Sequence, residues 1–228
     1  MTAKMLSFVS VPQAQPPKRL ADERRKDFDE IYKEFSPEQA ATQASRCSQC
    51  GVPFCSIHCP LGNNIPDWLM LAADGRLEEA YSVSQATNSF PEICGRICPQ
   101  DRLCEGNCVI EKDFDSVTIG AVERYITDTA FENGWVKPVM PVVELESSVG
   151  IIGAGPAGLA AAERLRASGH QVHVYDRHDR VGGLLIYGIP GFKLEKDIVL
   201  RRQKVLEEQG VVFHLGQGVG AGEGEIAF

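Results

Sequence analysis

The chain has 228 residues, a formal net charge of −8 and 43% hydrophobic residues. Such a length holds one large or two modest domains with a sizeable core. A negative balance with scattered basic residues excludes nucleic acid as the expected partner. No apolar run approaches the length that spans a bilayer, so no membrane partner is expected either. Met1 to Val11 lacks the apolar stretch and small-residue cleavage site of a secretory signal, which makes a cytoplasmic location the default and argues against a disulfide framework.

In chain order, residues 1–18 are rich in Pro and Gln without periodicity, an arm ordered only if it lies on something. Leu20 to Phe35 places Phe28, Ile31, Tyr32 and Phe35 at helical spacing among charges, which predicts an amphipathic helix. Within it, Arg24, Arg25 and Lys26 sit among acids and read as a solvated face. Ser36-Pro37-Glu38-Gln39 predicts a capped helix start leading to Cys47. Pro66 to Ala73 and Leu77 to Thr87 read as short helices broken at Asp74-Gly75, and Thr118 to Asn133 as another stopped by Gly134. Lys137-Pro138 and Met140-Pro141 mark a linker. The expected domains are therefore a helical one over 19–135, a linker over 136–146 and a nucleotide-binding one over 147–228.

All eight cysteines fall into two quartets. Cys47, Cys50, Cys55 and Cys59 read C-x2-C-x4-C-x3-C-P; Cys94, Cys98, Cys104 and Cys108 read C-x3-C-P-x4-C-x3-C. The short gaps suggest thiolates converging on an inorganic centre rather than stacked along a helix. Two all-thiolate zinc sites would also use every cysteine. Pro60 and Pro99, and the tight first run with its fourth member set apart, instead resemble the ferredoxin arrangement, in which the last cysteine of a run serves the other cluster. His58 could ligate metal but reads as a neighbour, and Trp68 and Phe90 as packing around the centres.

The second domain opens with Val149-Gly150-Ile151-Ile152, a buried strand, followed by the turn Gly153-Ala154-Gly155-Pro156-Ala157-Gly158 and a helix to about Ser168. The returning strand, Gln171 to Tyr175, ends in Asp176. This strand–GxGxxG–helix–strand–acid order is a dinucleotide fingerprint. Gly153 permits the turn, Gly155 lets backbone approach the pyrophosphate, Gly158 lets helix and strand close up, and Asp176 would accept from the adenosine ribose. His170, His173 and His178 flank the second strand with no catalytic role expected. A second glycine pair, Gly182-Gly183 before Leu184, resembles the flavoprotein disulfide-reductase-like families and points to FAD. Glu195 to Gln209 reads as a helix, Val211 to Leu215 as a strand, and Gly216 to Phe228 as a tail without a fold signal. A doubly wound sheet needs more strands than these, so a truncated reading is expected.

The cysteine runs, Asn63 to Trp68, Phe90 to Cys108, the FAD fingerprint and Tyr187 to Lys196 together closely resemble the small (beta) subunits of bacterial NADPH-dependent glutamate synthases. The resemblance implies an α + α/β architecture: an N-terminal helical double iron–sulfur domain followed by an incomplete Rossmann-like FAD-binding domain. It implies two [4Fe-4S] clusters, FAD, and electrons from NADPH, whose own site is absent from this chain. It also implies a large FMN-containing subunit as partner, making glutamate from glutamine and 2-oxoglutarate. By position, Cys47, Cys50, Cys55 and Cys108 would hold one cluster, and Cys59, Cys98 and Cys104 the other, with Glu123 or Cys94 as its fourth ligand. Glu123 is preferred by analogy with the related module of dihydropyrimidine dehydrogenase. No catalytic acid or base is expected, and the 228 residues alone are expected to be inactive. A ferredoxin:NADP oxidoreductase-type module and a non-enzymatic cluster-carrying adaptor are the competing readings.

Overall fold

A computed structural model of the chain describes residues 5–220 together with Gly222, Glu225 and Ile226. The chain divides between Trp135 and Val136 into two compact units. Among the described residues the first unit is helical, with α1 (Ala21–Arg24), α2 (Pro37–Ala44), α3 (Phe54–Ile57), α4 (Ile65–Ala73), α5 (Leu77–Gln85), α6 (Pro91–Ile97), α7 (Glu111–Phe114) and α8 (Ile119–Glu132). The start of α2 follows its local signal: Ser36 Oγ accepts from Gln39 N at 3.2 Å and Gln39 Oε1 accepts from Ser36 N at 3.0 Å, a closed capping box behind Pro37. α4 stops at Asp74, and Gly75 turns the chain with φ 74°.

Trp68 and Leu69 of α4, Ala80 and Tyr81 of α5, and Val122 and Ile126 of α8 are buried together in this unit's core. The one polar atom of the Trp68 ring is satisfied, because Nε1 donates to Asn63 Oδ1 at 2.7 Å, and Asn63 Nδ2 donates in turn to the Ser84 carbonyl at 2.6 Å. Buried amides and indoles persist only with such partners.

α6 and α8 come closer than side chains would permit. A Cβ on Gly95 would lie 2.7 Å from Arg124 N and 2.9 Å from Gly120 O. Beside this contact runs a buried ionic network. Arg96 donates to Glu30 at 2.6 Å and to Asp128 at 2.7 Å, and Arg124 pairs with the other Glu30 oxygen at 2.6 Å. The Arg96 side chain is only 3% exposed.

The Leu20 to Phe35 helix does not form. Only α1 is helical there, and the chain then doubles back, with Arg19 N donating to Ile31 O at 2.9 Å and Lys33 N to Pro17 O at 2.8 Å. A forked Arg19–Asp27 pair at 2.9 and 2.6 Å closes the loop. Folding it as a helix would remove Glu30 from Arg96 and Arg124, so tertiary electrostatics override the periodic pattern. The described part of the preceding arm lies on α2 and its C-terminal end: Leu6 N bonds Cys47 O, Ser7 N bonds Ser45 O, and Ala14 N bonds Gln43 Oε1.

The second unit holds a parallel sheet ordered β1 (Ser148–Ile152), β2 (Gln171–Asp176) and β3 (Val211–Leu215). Register pairs Val149 with Val172 and Val174 with Phe213. α9 (Pro156–Ala167) connects β1 to β2, while the short α10 (Leu184–Tyr187) and α11 (Lys196–Glu208) lie between β2 and β3. Val172 and Val174 face the core with Leu159 and Ala162 of α9. On the other face, the His173, Tyr175 and His214 rings stack, with the two imidazoles 3.0 Å apart between Nδ1 and Nε2. The segment before β1 is tied to this unit: Arg166 pairs with Glu144, and Gln209 Nε2 donates to Val139 O at 2.9 Å. Of the tail read as featureless, residues 221, 223, 224, 227 and 228 lie outside the described residues, and Val219 forms an isolated bridge with Ile226.

The ionic network makes a stability prediction. Arg96→Ala leaves two buried carboxylates sharing Arg124 as their remaining cation in the network, so chemical unfolding of the variant should show a loss of about 3 kcal/mol. An effect under about 1 kcal/mol would place the network with weak surface pairs.

Candidate cofactor sites

Burial and mutual repulsion describe where the thiols lie. Burial pushes Cys47 up to about 11 and Cys55 up to about 12. Cys108 and Cys50 add to the effect on Cys47, and Cys47 and Cys108 to the effect on Cys55. Burial likewise raises Cys98, Cys104 and Cys94, the last to about 12. Here the neighbouring charges are different: Glu123 and Cys59 act on Cys98, Glu105, Glu123 and Cys98 on Cys104, and Glu123 and Cys98 on Cys94. One neighbourhood thus gathers Cys47, Cys50, Cys55 and Cys108. The other gathers Cys59, Cys94, Cys98, Cys104 and Glu123.

The elements explain this sorting. α3 carries Cys55 and ends before Cys59, so the first run diverges across one short helix. Cys94 lies on α6 and Cys98 is its C-cap, with Cys98 N donating to Cys94 O at 3.2 Å. These two cysteines therefore do stack one helical turn apart, contrary to the expectation from their spacing, because Pro91 starts a helix that runs through the gap. Gly106 makes the tight return to Cys108 possible, since a Cβ there would lie 1.8 Å from Asp101 O. The Gly95–Arg124 contact brings α8, and with it Glu123, to the cysteines of α6.

Glu123 is 8% exposed and accepts from Asn88 Nδ2 at 3.1 Å. Burial pushes its carboxyl up to about 8, against the lowering effect of the Asn88 bond. Asn88 Oδ1 also lies 3.6 Å from the Cys94 thiol, which donates to it. Among the described residues no three His, Cys, Asp or Glu side chains are grouped to hold one metal ion. A single zinc would need sulfurs about 4 Å apart, given Zn–S of about 2.3 Å. His58 Nδ1 lies 2.9 Å from Phe54 O at the end of α3. Trp68 is in the core beside Asn63, and Phe90 is 8% exposed at the start of α6.

In the second unit the glycine turn fits a dinucleotide. Gly153 has φ 100°, which only glycine adopts without strain. A Cβ on Gly158 would lie 1.9 Å from Gly153 O, whereas Cβ atoms on Gly153 and Gly155 would meet open space. The loop is thus tight on its protein side and clear on the side where phosphates would lie. α9 begins at Pro156, after Gly155 as N-cap, and its free N–H groups face that side. The second glycine pair closes on the first: Gly182 N donates to Ala154 O at 2.8 Å, and a Cβ on Gly183 would lie 2.9 Å from Gly155 Cα. Leu184, opening α10, is exposed. Asp176 accepts from Ala154 N at 2.7 Å and from His178 N at 2.8 Å, one bond to each oxygen. It also lines an open cavity of about 390 Å³ with Gly153, Tyr175, His178 and Gln217. A carboxylate keeps acceptor capacity beyond two bonds, so it can hold the loop and still meet a hydroxyl.

Residues 24–135 match the family described as dihydropyrimidine dehydrogenase domain II, 4Fe-4S cluster, and residues 151–193 match an NAD(P)-binding Rossmann-like domain. These matches define the class: a helical 4Fe-4S domain joined in one chain to a Rossmann-like dinucleotide domain. Within that class the chain is a relative of the glutamate synthase [NADPH] small chains. It is 68% identical over 218 residues to the one from Azospirillum brasilense, covering 95% of this chain and 45% of that protein. Identity to the Escherichia coli K12 small chain is 48% over 220 residues, covering 96% and 47%. The putative oxidoreductase AegA of the same organism is 47% identical over 220 residues, covering 96% and 33%. The chain therefore spans under half the length of these relatives. No helix among the described residues is long and apolar enough to cross a membrane.

Arg46, Gln49, Asn88, Gly95 and Glu105 escaped the sequence reading. Arg46 and Gln49 had a signal, namely their adjacency to cysteines; Asn88 lies 35 residues from its partner Glu123 and had none.

The raised Glu123 carboxyl makes the metal-free chain pH-sensitive. The folded state holds this proton more tightly than the unfolded state, with its ordinary value of 4.5, so stability is fully present below that value. It should fall as pH rises toward about 8, by at most about 1.4 kcal/mol per unit. Urea unfolding of the metal-free chain at several pH values should show this slope, and Glu123→Gln should flatten it. Equal slopes in both proteins would refute the assignment.

Proposed function

We propose that the chain is the electron-input part of a glutamate synthase. It would pass reducing equivalents from NADPH through FAD and two [4Fe-4S] clusters to a large FMN-containing subunit that makes glutamate from glutamine and 2-oxoglutarate. The observation that carries this reading is the sorting of eight cysteines and Glu123 into two neighbourhoods, each holding one buried cysteine, Cys47 or Cys104, in a chain that continues into a glycine loop suited to phosphates. The 68% identity to a glutamate synthase [NADPH] small chain supports the choice of enzyme.

When bound, the flavin would take a hydride as an electron pair and the clusters would carry electrons singly, so the protein's task is placement and tuning. Cys47, Cys50, Cys55 and Cys108 would ligate one cluster. Cys59, Cys98, Cys104 and Glu123 would ligate the other, with Cys94 kept as a neighbouring thiol donating to Asn88. This division is supported by the neighbourhoods above and by the match of residues 24–135 to a 4Fe-4S domain family. Gly153, Ala154, Gly155, Pro156, Ala157 and Gly158 would cradle the pyrophosphate of FAD, and the N-terminus of α9 would face its charge. Asp176 would orient the ribose, while Gly182, Gly183 and Leu184 would close the turn over the nucleotide. No side chain here needs to move a proton.

A second reading, the input module of another oxidoreductase, is favoured by the 47% identity to AegA. Copurification separates the two. A large flavin-bearing partner that forms glutamate supports the first, and its consistent absence beside another electron acceptor supports the second.

Iron analysis tests the interleaved ligand sets. The anaerobically purified chain should hold about eight irons with matching sulfide. The double variant Cys47→Ser/Cys108→Ser removes two ligands from the same centre and should retain about four irons. If the ligands were two local quartets, the same variant would damage both centres and lose nearly all iron.

A further inference from the structure

The first unit contains a second buried guanidinium, and its surroundings differ from those of Arg96. Arg46 is 0% exposed. It donates to main-chain carbonyls only: Nε to Val11 at 3.0 Å, Nη1 to Ser116, and Nη2 to Phe114 and to Asp115, the last at 3.1 Å. Among the described residues no carboxylate forms an ion pair with it. Asp115, the acid that acts on it electrostatically, is exposed, and the other charge acting on it is Cys108. Carbonyl dipoles solvate a cation without cancelling its charge, and arginine does not deprotonate in proteins. The charges of Arg96 and Arg124, by contrast, are opposed directly by Glu30 and Asp128. Arg46 thus brings a positive charge that no ion pair among the described residues opposes to the neighbourhood of Cys108 and, through the chain, of Cys47.

A second feature acts on the same site. Gln49 sits in the left-handed region, φ 51°, which turns the chain between Cys47 and Cys50. In that conformation both its main-chain N and its Nε2 donate to Cys47 Sγ, at 3.4 and 3.3 Å, while Nε2 is steadied by Pro66 O at 2.8 Å. The other neighbourhood has the opposite character: besides Glu123, taken above as a ligand, Glu92 acts on Cys94 and Glu105 on Cys104. A thiolate-ligated cluster is anionic and gains one more negative charge on reduction. Nearby positive charge and N–H donors to sulfur stabilise the reduced form, and nearby carboxylates oppose it.

We propose that Arg46, assisted by Gln49, makes the centre of Cys47, Cys50, Cys55 and Cys108 the higher-potential of the two clusters, where an electron entering this unit settles at equilibrium. The proposal rests on the two-cluster reading above and adds an order between the clusters. Arg46 acts through the field it sets at the sulfurs; it ligates nothing.

The test is an anaerobic potentiometric titration of the full chain followed by electron paramagnetic resonance, with iron and sulfide measured on each sample. Arg46→Gln should lower the higher of the two midpoint potentials and leave the lower one in place. Arg46→Lys, which keeps the charge, should restore the higher one toward the wild-type value, a rescue that a purely structural role would not produce. Should Arg46→Gln fail to fold, Gln49→Leu, which leaves the carbonyl cage intact, must still lower the same potential. Full iron and sulfide with both potentials unmoved, or a shift of the lower potential alone, overturns the tuning. A wild-type chain without iron and sulfide overturns the cluster reading itself, and the iron analysis tells the two failures apart.

Discussion

The close approach of α6 and α8 is the constraint on which the rest of the first unit depends. Gly95 removes the side chain that would collide with the backbone of α8, and Arg96, one residue on, locks the approach through Glu30 and Asp128. Because α6 carries Cys94 and leads into Cys98, and α8 carries Glu123, the same contact that closes the core also assembles the second neighbourhood. Stability and site geometry are coupled here: loosening this helix pair would move Cys94 and Glu123 relative to each other. Buried ion pairs often contribute little net stability compared with apolar packing. Their value here is specificity of register between two helices that approach closely at Gly95.

What could be read from the sequence follows the range of the interactions involved. The capping box of α2, the halt at Gly75 and the glycine turn of the second unit are local, so residues within a few positions carry the whole signal. The periodic pattern from Leu20 to Phe35 was equally local and misled, because Glu30 is drawn to Arg96 and Arg124, far along the chain. The cysteine spacings announced an inorganic centre yet did not divide the ligands. Cys108 lies beside Cys47 and Cys55 only because the chain turns at Gly106, and Glu123 entered through family resemblance rather than through any spacing to the cysteines. Asn88, which bridges Glu123 and Cys94, is invisible without the fold.

The two units solve the problem of holding an anion in different ways. The nucleotide loop offers main-chain N–H groups at a helix start and a surface left clear by glycine, so it needs no positive side chain. Asp176 stiffens that loop by accepting from Ala154 N, which leaves an acid near the sugar end of the site, where a hydroxyl rather than a phosphate is welcome. The helical unit offers no such single loop, because its cysteines run from Cys47 to Cys108 across α3, α6 and the turns around them. On the reading proposed above it would rely instead on individual groups: the amides of Gln49, the guanidinium of Arg46, the amide of Asn88.

Burial raises the thiols of the metal-free chain, Cys47 to about 11 and Cys55 to about 12, so near neutral pH they are held as neutral S–H groups rather than as thiolates awaiting metal. Building a centre on them must release protons and replace a desolvation penalty with metal–sulfur bonds. A framework that depended on those bonds for its shape would be unfolded until they formed. In this unit the Trp68–Asn63–Ser84 chain of hydrogen bonds, the capped α2 and the Arg96 network add supports that involve no cysteine. Support for the helical unit is therefore shared between these contacts and whatever bonds a bound centre would add.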